Sequence, residues 1–154
     1  NMAIYSLTHN DIDDHSQIIA IHSALEPFDL AFKINDLLGL KLIRSEFDIS
    51  FKKKEEKYMV YKDENCGDGS SAWLYSNSFT GSKFNSANES LFKEESIELS
   101  LMPEFSKADY ILKRSGESSS LESFVGALLL LPEISSCYMV PENKIKSKHN
   151  LILD

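Results

Sequence analysis

Two segments of this chain repeat their apolar residues at the period of a helix, and short strand-like apolar runs stand on either side of each. In "SALEPFDLAFKINDLLGL", Leu30, Ile34, Leu37 and Leu38 fall on one helical face with Ala31 beside them. In "SGESSSLESFVGALLLLPE", Leu121, Phe124, Val125, Leu128 and Leu129 follow the repeat i, i+3, i+4, i+7, i+8. An amphipathic helix has to bury its stripe, and the flanking strand patterns supply a sheet for it to cover. That combination narrows the fold to an α+β sandwich.

Local signals set the helix ends. Pro27 suits a first turn, Ser23 and Glu26 have capping-box spacing, and Gly39 suits the left-handed residue that closes a helix, so the first helix is predicted over about 26–38. Ser119 and Glu122 repeat the capping-box spacing, and Pro132 ends the second helix. Gly126 inside it is expected to mark a close approach by another part of the chain.

Residues 17–22, "QIIAIH", read as a buried strand. "FDISF" (47–51), "KYMVYKD" (57–63) and "AWLYSNSF" (72–79) read as three strands of an antiparallel meander, joined by "KKKEE" and "ENCGDGSS". Residues 80–95 read as a long polar loop. "SIELSLM", "ADYILKR" and "SSCYMV" complete the strands. In the tail, "PENKIKSKHNLILD", Leu151 and Leu153 are expected to pack back on the body. The order implies one α+β domain over residues 1–154. It is a mostly antiparallel sheet with both helices on one face, a ferredoxin-like core with an inserted β-hairpin.

A chain of 154 residues with 42% apolar and 10% aromatic residues can bury a core without disulfide or metal staples. Sixteen Lys and Arg face twenty-four Asp and Glu, for a net charge of -8. That charge repels phosphate backbones and anionic lipid, so neither a nucleic-acid nor a membrane partner is expected. The longest apolar run, "FVGALLLLP", is too short to cross a bilayer. The first residues show no basic leader and no long apolar run, so a cytoplasmic location is expected. Cys66 and Cys137 stand outside any CxxC pair and are expected as reduced thiols, not a zinc framework.

The stretch "LMPEFSKADYIL" poses the main question of chemistry, because it sets Glu104 and Asp109 between two apolar runs. Residues five apart point to opposite faces of a strand and lie about 140° apart on a helix, so neither geometry pairs the two carboxylates. Pro103 cannot donate to a sheet ladder and ends the strand before it. Glu104 then accepts backbone N–H groups in a turn, Asp109 caps it, and Tyr110 buries its ring with its hydroxyl bonded at the rim. These four residues are read as structural.

"MPEFSKADY" resembles the signature of the bacterial IPExxxDY family. The early "IIAIHSALEPFDLAFKINDLLGL" and the late "PENKIKSKHNLIL" are similar to that family as well, so the likeness spans most of the chain. Met102 stands where the family name has isoleucine, and four residues, not three, separate Glu104 from Asp109. The resemblance implies a small bacterial protein and supplies no catalytic residue.

Other constellations read as surface or core. "HNDIDDH", His9 to His15, has metal-capable groups in a solvated terminal segment. "DENCGDGS" puts Asp68 where a calcium loop needs glycine and Leu74 where it needs glutamate. Cys66 lacks the setting of an activated thiol, Cys137 reads as core, and His22 as a hydrogen-bonded structural residue. Lys52 to Lys54 and Lys144, Lys146 and Lys148 read as solvated surface. No nucleophile elbow, HExxH, phosphate loop or dinucleotide fingerprint is present.

The pattern therefore points to a non-enzymatic cytoplasmic binding or protein-interaction module without catalytic residues, metal or cofactor. Its expected assembly is a homodimer or a complex with another protein, through a sheet edge or face. The alternative is a small-molecule-binding regulatory domain like the amino-acid sensors of similar topology, on fold analogy alone. No residue pattern names a ligand.

Overall fold

The first strand, β1 (Ser16–Ser23), carries Ile18, Ile19, Ala20 and Ile21 in succession, all fully buried. A strand apolar on both faces needs cover on both. The computed structural model describes residues 16–50, 57–64, 70–78, 100–115 and 121–151. In it, β1 runs between β7 (Tyr110–Ser115) and β8 (Ile134–Met139), antiparallel to each. With β2 (Ile43–Arg44), β5 (Val60–Asp63) and β6 (Ser71–Ser76) it makes a six-stranded sheet ordered β2-β5-β6-β7-β1-β8. Every neighbouring pair is antiparallel. β3 (Ile49–Ser50) and β4 (Lys57–Tyr58) pair as a separate two-stranded ribbon.

Two helices, α1 (Pro27–Leu38) and α2 (Leu121–Leu128), cover one face of the sheet. Leu30 and Ile34 of α1 and Leu121 and Leu128 of α2 pack on Ile19 and Ile21 of β1 and Leu112 of β7. The fold is thus the α+β sandwich read from the sequence, with both helices on one face. Pro27 opens α1, and Gly39 closes it at φ 71°, its N–H bonded to the Asn35 carbonyl at 2.9 Å. A glycine takes that left-handed conformation without the Cβ penalty.

Among the described residues, no α-helix lies over the opposite face. Ile18, Ala20, Tyr75 and Ile111 meet Leu101, Met102 and Ala108 there, together with Val140 and Leu151 of the C-terminal segment. That segment crosses the sheet as an irregular strap. The Tyr75 hydroxyl donates to the Leu151 carbonyl at 2.7 Å, and the Asn150 amide to the Leu101 carbonyl at 2.8 Å. Leu151 packs back as expected; Leu153 lies outside the described residues.

Several expectations need correction. The strand expected over 57–63 breaks at Met59, because its two halves belong to different sheets. The 47–51 strand reduces to β3 among the described residues, and Phe47 is exposed ahead of it. β2 was not expected at all: its two exposed residues carry no alternation to read. The Ser23–Glu26 capping box does not form. Glu26 is the cap residue without a side-chain bond, and the Ser23 hydroxyl donates to the Glu133 carbonyl at 2.9 Å. α2 ends four residues before Pro132, as the Leu130 and Leu131 N–H groups bond three residues back, to Ala127 and Leu128. That tighter winding turns Leu129 and Leu130 to solvent, against the expectation that Leu129 faces the core. Gly126 marks no close approach: a Cβ placed there meets no atom within 4 Å. The residue 80–95 loop, the Ser119 cap, the "KKKEE" turn, Cys66 with most of "ENCGDGSS", and the 97–102 strand up to residue 99 lie outside the described residues.

The open space at Gly126 gives a direct check. Gly126→Ala should stabilise the fold by about 1 kcal/mol through helix propensity, raising the thermal midpoint by roughly 2–4 °C. A lower midpoint in thermal unfolding would show that the glycine is needed for contact after all.

Candidate functional site

Asn77 follows directly on β6 and is completely buried. Its backbone N–H donates to the Asp109 carbonyl and its own carbonyl accepts the Leu101 N–H, both at 2.9 Å. Its side-chain oxygen accepts the Met102 N–H at 2.8 Å. Its amide donates to the carbonyls of Phe105 at 2.8 Å and Ala108 at 2.9 Å. Five bonds from one residue hold both ends of the 101–109 bend in the space beside β6 and β7. The sequence showed only an asparagine inside the strand expected over 72–79, which ends at Ser76 instead, and carried no signal for such a role.

Within the bend, Pro103–Phe105 form a 3-10 turn that begins with proline, where a missing N–H costs nothing. The turn aims Glu104 at the C-terminal strap. One carboxylate oxygen accepts the Lys146 and Ser147 N–H groups, each at 2.7 Å, and the Ser147 hydroxyl lies 2.8 Å from both oxygens. Partial burial pushes this carboxyl up. Bonds from its own N–H, from Lys146 and from Ser147 outweigh that and hold it below the ordinary value.

Asp109 works on another part of the chain. It accepts the Ser23 N–H at 2.8 Å, where β1 turns toward α1. Tyr110 beside it donates its hydroxyl to the Leu25 carbonyl at 2.5 Å. Burial, and then the nearby carboxylates of Glu26 and Asp109, push that phenol well above its usual range. The two halves of "PEFSKADY" therefore fasten different segments: Glu104 takes the C-terminal strap, and Asp109 and Tyr110 take the β1–α1 turn. Asp109 caps that turn and not its own.

His22 sits one residue from the β1 bulge, with its ring 3.3 Å from the Tyr138 hydroxyl. Tyr138 also borders a shallow open depression of about 290 Å³ beside Glu104, Phe105, Ser106, Lys107 and Ala108. The groups an acid–base site would need are thus spread over separate duties. Glu104 is occupied by the strap, Asp109 by Ser23, and His22 contacts Tyr138. Cys137 is buried in the helix-side core, and burial pushes its thiol up to about 11, so it stays protonated at neutral pH. Among the described residues no three His, Cys, Asp or Glu side chains come together as a metal site. The residues of "HNDIDDH" lie outside them.

The two edges of the sheet differ. β2 is two residues long and carries Arg44, which pairs with Asp48 at 2.7 Å. β8 is six residues, "ISSCYM", with no charge and no proline. Tyr138 is 40% exposed and Met139 38%. Leu129 and Leu130, in the turn that enters β8, are 50% and 77% exposed. Soluble proteins guard long edges with lysine, proline or a short strand, and β8 has none of these guards. No protein-family description, curated protein or solved structure matches the chain.

Asn77→Ala would leave the buried Ala108 carbonyl and Met102 N–H unpaired, each orphaned group costing about 1–3 kcal/mol, and would remove one of the two bonds to the Phe105 carbonyl, which keeps the Ala108 N–H. Chemical denaturation should show a loss of about 3 kcal/mol or more; a loss under about 1 kcal/mol would rule out the hub role. Glu104 supplies a pH test. A depressed carboxyl contributes stability that is present above its unfolded value, near 4.5, and is lost as pH falls through the folded value. Glu104→Gln should therefore be less stable than the parent at pH 7, and the gap should shrink below about pH 4.5. A gap that stays constant with pH would mean the charge is not what binds the strap.

Proposed function

We propose that this chain is a non-enzymatic protein-interaction module of the cytoplasm, built on a ferredoxin-like core, and that β8 is its docking edge. The observation that carries this reading is the contrast between the sheet's edges. One is short and charged; the other is six residues long and uncharged, carries exposed Tyr138 and Met139, and follows a turn with exposed Leu129 and Leu130. An unguarded strand presents a row of unpaired N–H and C=O groups that a second chain completes by adding a strand.

The ferredoxin-like part of the reading rests on element order. β1, α1, β6, β7, α2 and β8 run strand–helix–strand–strand–helix–strand, and their strands lie as β8-β1-β7-β6. β5 and β2 extend that core beyond β6 as the inserted pair. Under the same reading the "PEFSKADY" segment, similar to the IPExxxDY signature, is a fastener that keeps β1, the bend and the strap in register. A small-molecule sensor would need a concave and largely apolar site. The depression beside Tyr138 is open and has Glu104 and Lys107 on its rim. The acidic balance of -8 favours a protein partner over nucleic acid.

A photoreactive amino acid placed at Tyr138 in living cells tests the proposal, with the same probe at Ile43 on the opposite edge as the control. Irradiation should give a covalent polypeptide adduct from position 138 and none from 43. Absence of an adduct at 138, or equal yields from both edges, would overturn β8 as the docking edge.

A further inference from the structure

We infer that the chain docked on β8 is a second copy of this protein, paired antiparallel about a twofold axis through Tyr138. This rests on the interaction-module reading and names its partner.

The register sets the geometry. Ala20 faces Tyr138 and His22 faces Ser136 across β1 and β8, and the Val140 N–H donates to the Ile18 carbonyl at 2.9 Å. Backbone groups alternate in direction along an antiparallel strand. Ser136, Tyr138 and Val140 therefore spend theirs on β1, and Cys137 and Met139 turn theirs outward. A twofold axis at Tyr138 sets Cys137 of each copy opposite Met139 of the other. Those are the hydrogen-bonded positions, so the N–H and C=O of both residues are satisfied in both copies. Tyr138 then meets its own mate at a non-hydrogen-bonded position, where Cα atoms approach to about 4.5 Å and side chains pack closest. On the helical face Met139 of one copy covers Cys137 of the other.

The charge pattern leaves room for a second copy at this edge. Two copies each carrying -8 repel one another overall. Between Glu122 and Glu142 the sequence holds a single charged residue, Glu133, and its carboxylate lies 3.3 Å from the Lys33 ammonium. This is the stretch that forms most of α2, its exit turn and β8. Strand pairing alone buries less than the roughly 1,200–2,000 Å² of a stable interface. α2 packs on β8, so the twofold also draws the two copies of α2, with exposed Leu129 and Leu130 at their ends, toward the seam.

Sedimentation of the unaltered chain should give twice its 17.4 kDa mass, and Met139→Lys should reduce it to the single-chain mass with unchanged circular dichroism. In a Cys66→Ser, Cys137→Ala background, Tyr138→Cys should form an intermolecular disulfide under mild oxidation, since Cα atoms about 4.5 Å apart are within disulfide reach. Ser136→Cys should not, because its mate lies about four residues along the strand, near 13 Å away. A single-chain mass for the unaltered protein, or equal cross-linking from 136 and 138, would overturn the inference. The photoadduct at 138 separates the two levels. An adduct containing only other polypeptides refutes the second copy and leaves the docking edge standing; no adduct refutes both.

Discussion

The buried amide of Asn77 holds the non-helical face of this protein in place. A sheet whose central strand is apolar on both sides needs two covers. The helices supply one from regular, self-satisfying backbone. The other cover is irregular, so its backbone groups need partners from outside any ladder. Asn77 provides five of those bonds at once, to Leu101, Met102, Phe105, Ala108 and Asp109. Only when the bend is fixed does Glu104 stand where the Lys146 and Ser147 N–H groups converge, and only then does the strap bring Leu151 onto Tyr75. Polar bonds thus position an apolar cover, and the apolar cover then keeps water from those bonds.

The same constraint frees the edges for different uses. The inserted β5 and β2 carry the sheet outward on one side and finish it with a short, charged strand. On the other side β8 is the last of the described strands, and the segment after it turns under the sheet to become the strap. The edge is left open with an uncharged strand, in a chain of net charge -8. An edge of this kind is a hazard for a solitary chain and an asset for one that meets a partner there.

Some features were legible because they depend on neighbours in sequence. Gly39 at a left-handed position, Pro27 at the start of α1 and the Leu30–Ile34 stripe follow from local geometry, and the structure places each where the pattern did. Ser23 shows the limit of such reasoning. It has the right spacing to cap α1, but the carbonyl of Glu133, distant in sequence, takes its hydroxyl instead. The break at Met59 is of the same kind: the run 57–63 alternates as one strand, and only pairing with two different partners divides it. Glu104 and Asp109 were expected to serve the bend itself, but Glu104 also takes N–H groups of the strap and Asp109 caps the β1–α1 turn. Their partners, Ser147 and Ser23, lie 43 and 86 residues away, beyond any local pattern.

The sequence by itself determined the class of fold, two helices on one side of an antiparallel sheet, because hydrophobic period and helix-end chemistry act over a few residues. It also determined the net charge of -8 and the stretch through α2 and β8 whose one charged residue after Glu122 is Glu133. Tertiary structure alone decided that Asn77 is a hub, that the two halves of "PEFSKADY" serve different segments, and that β8 is an edge. Strand order and long-range hydrogen bonds arise from the three-dimensional closure of the chain, and no local periodicity records which segments that closure brings together.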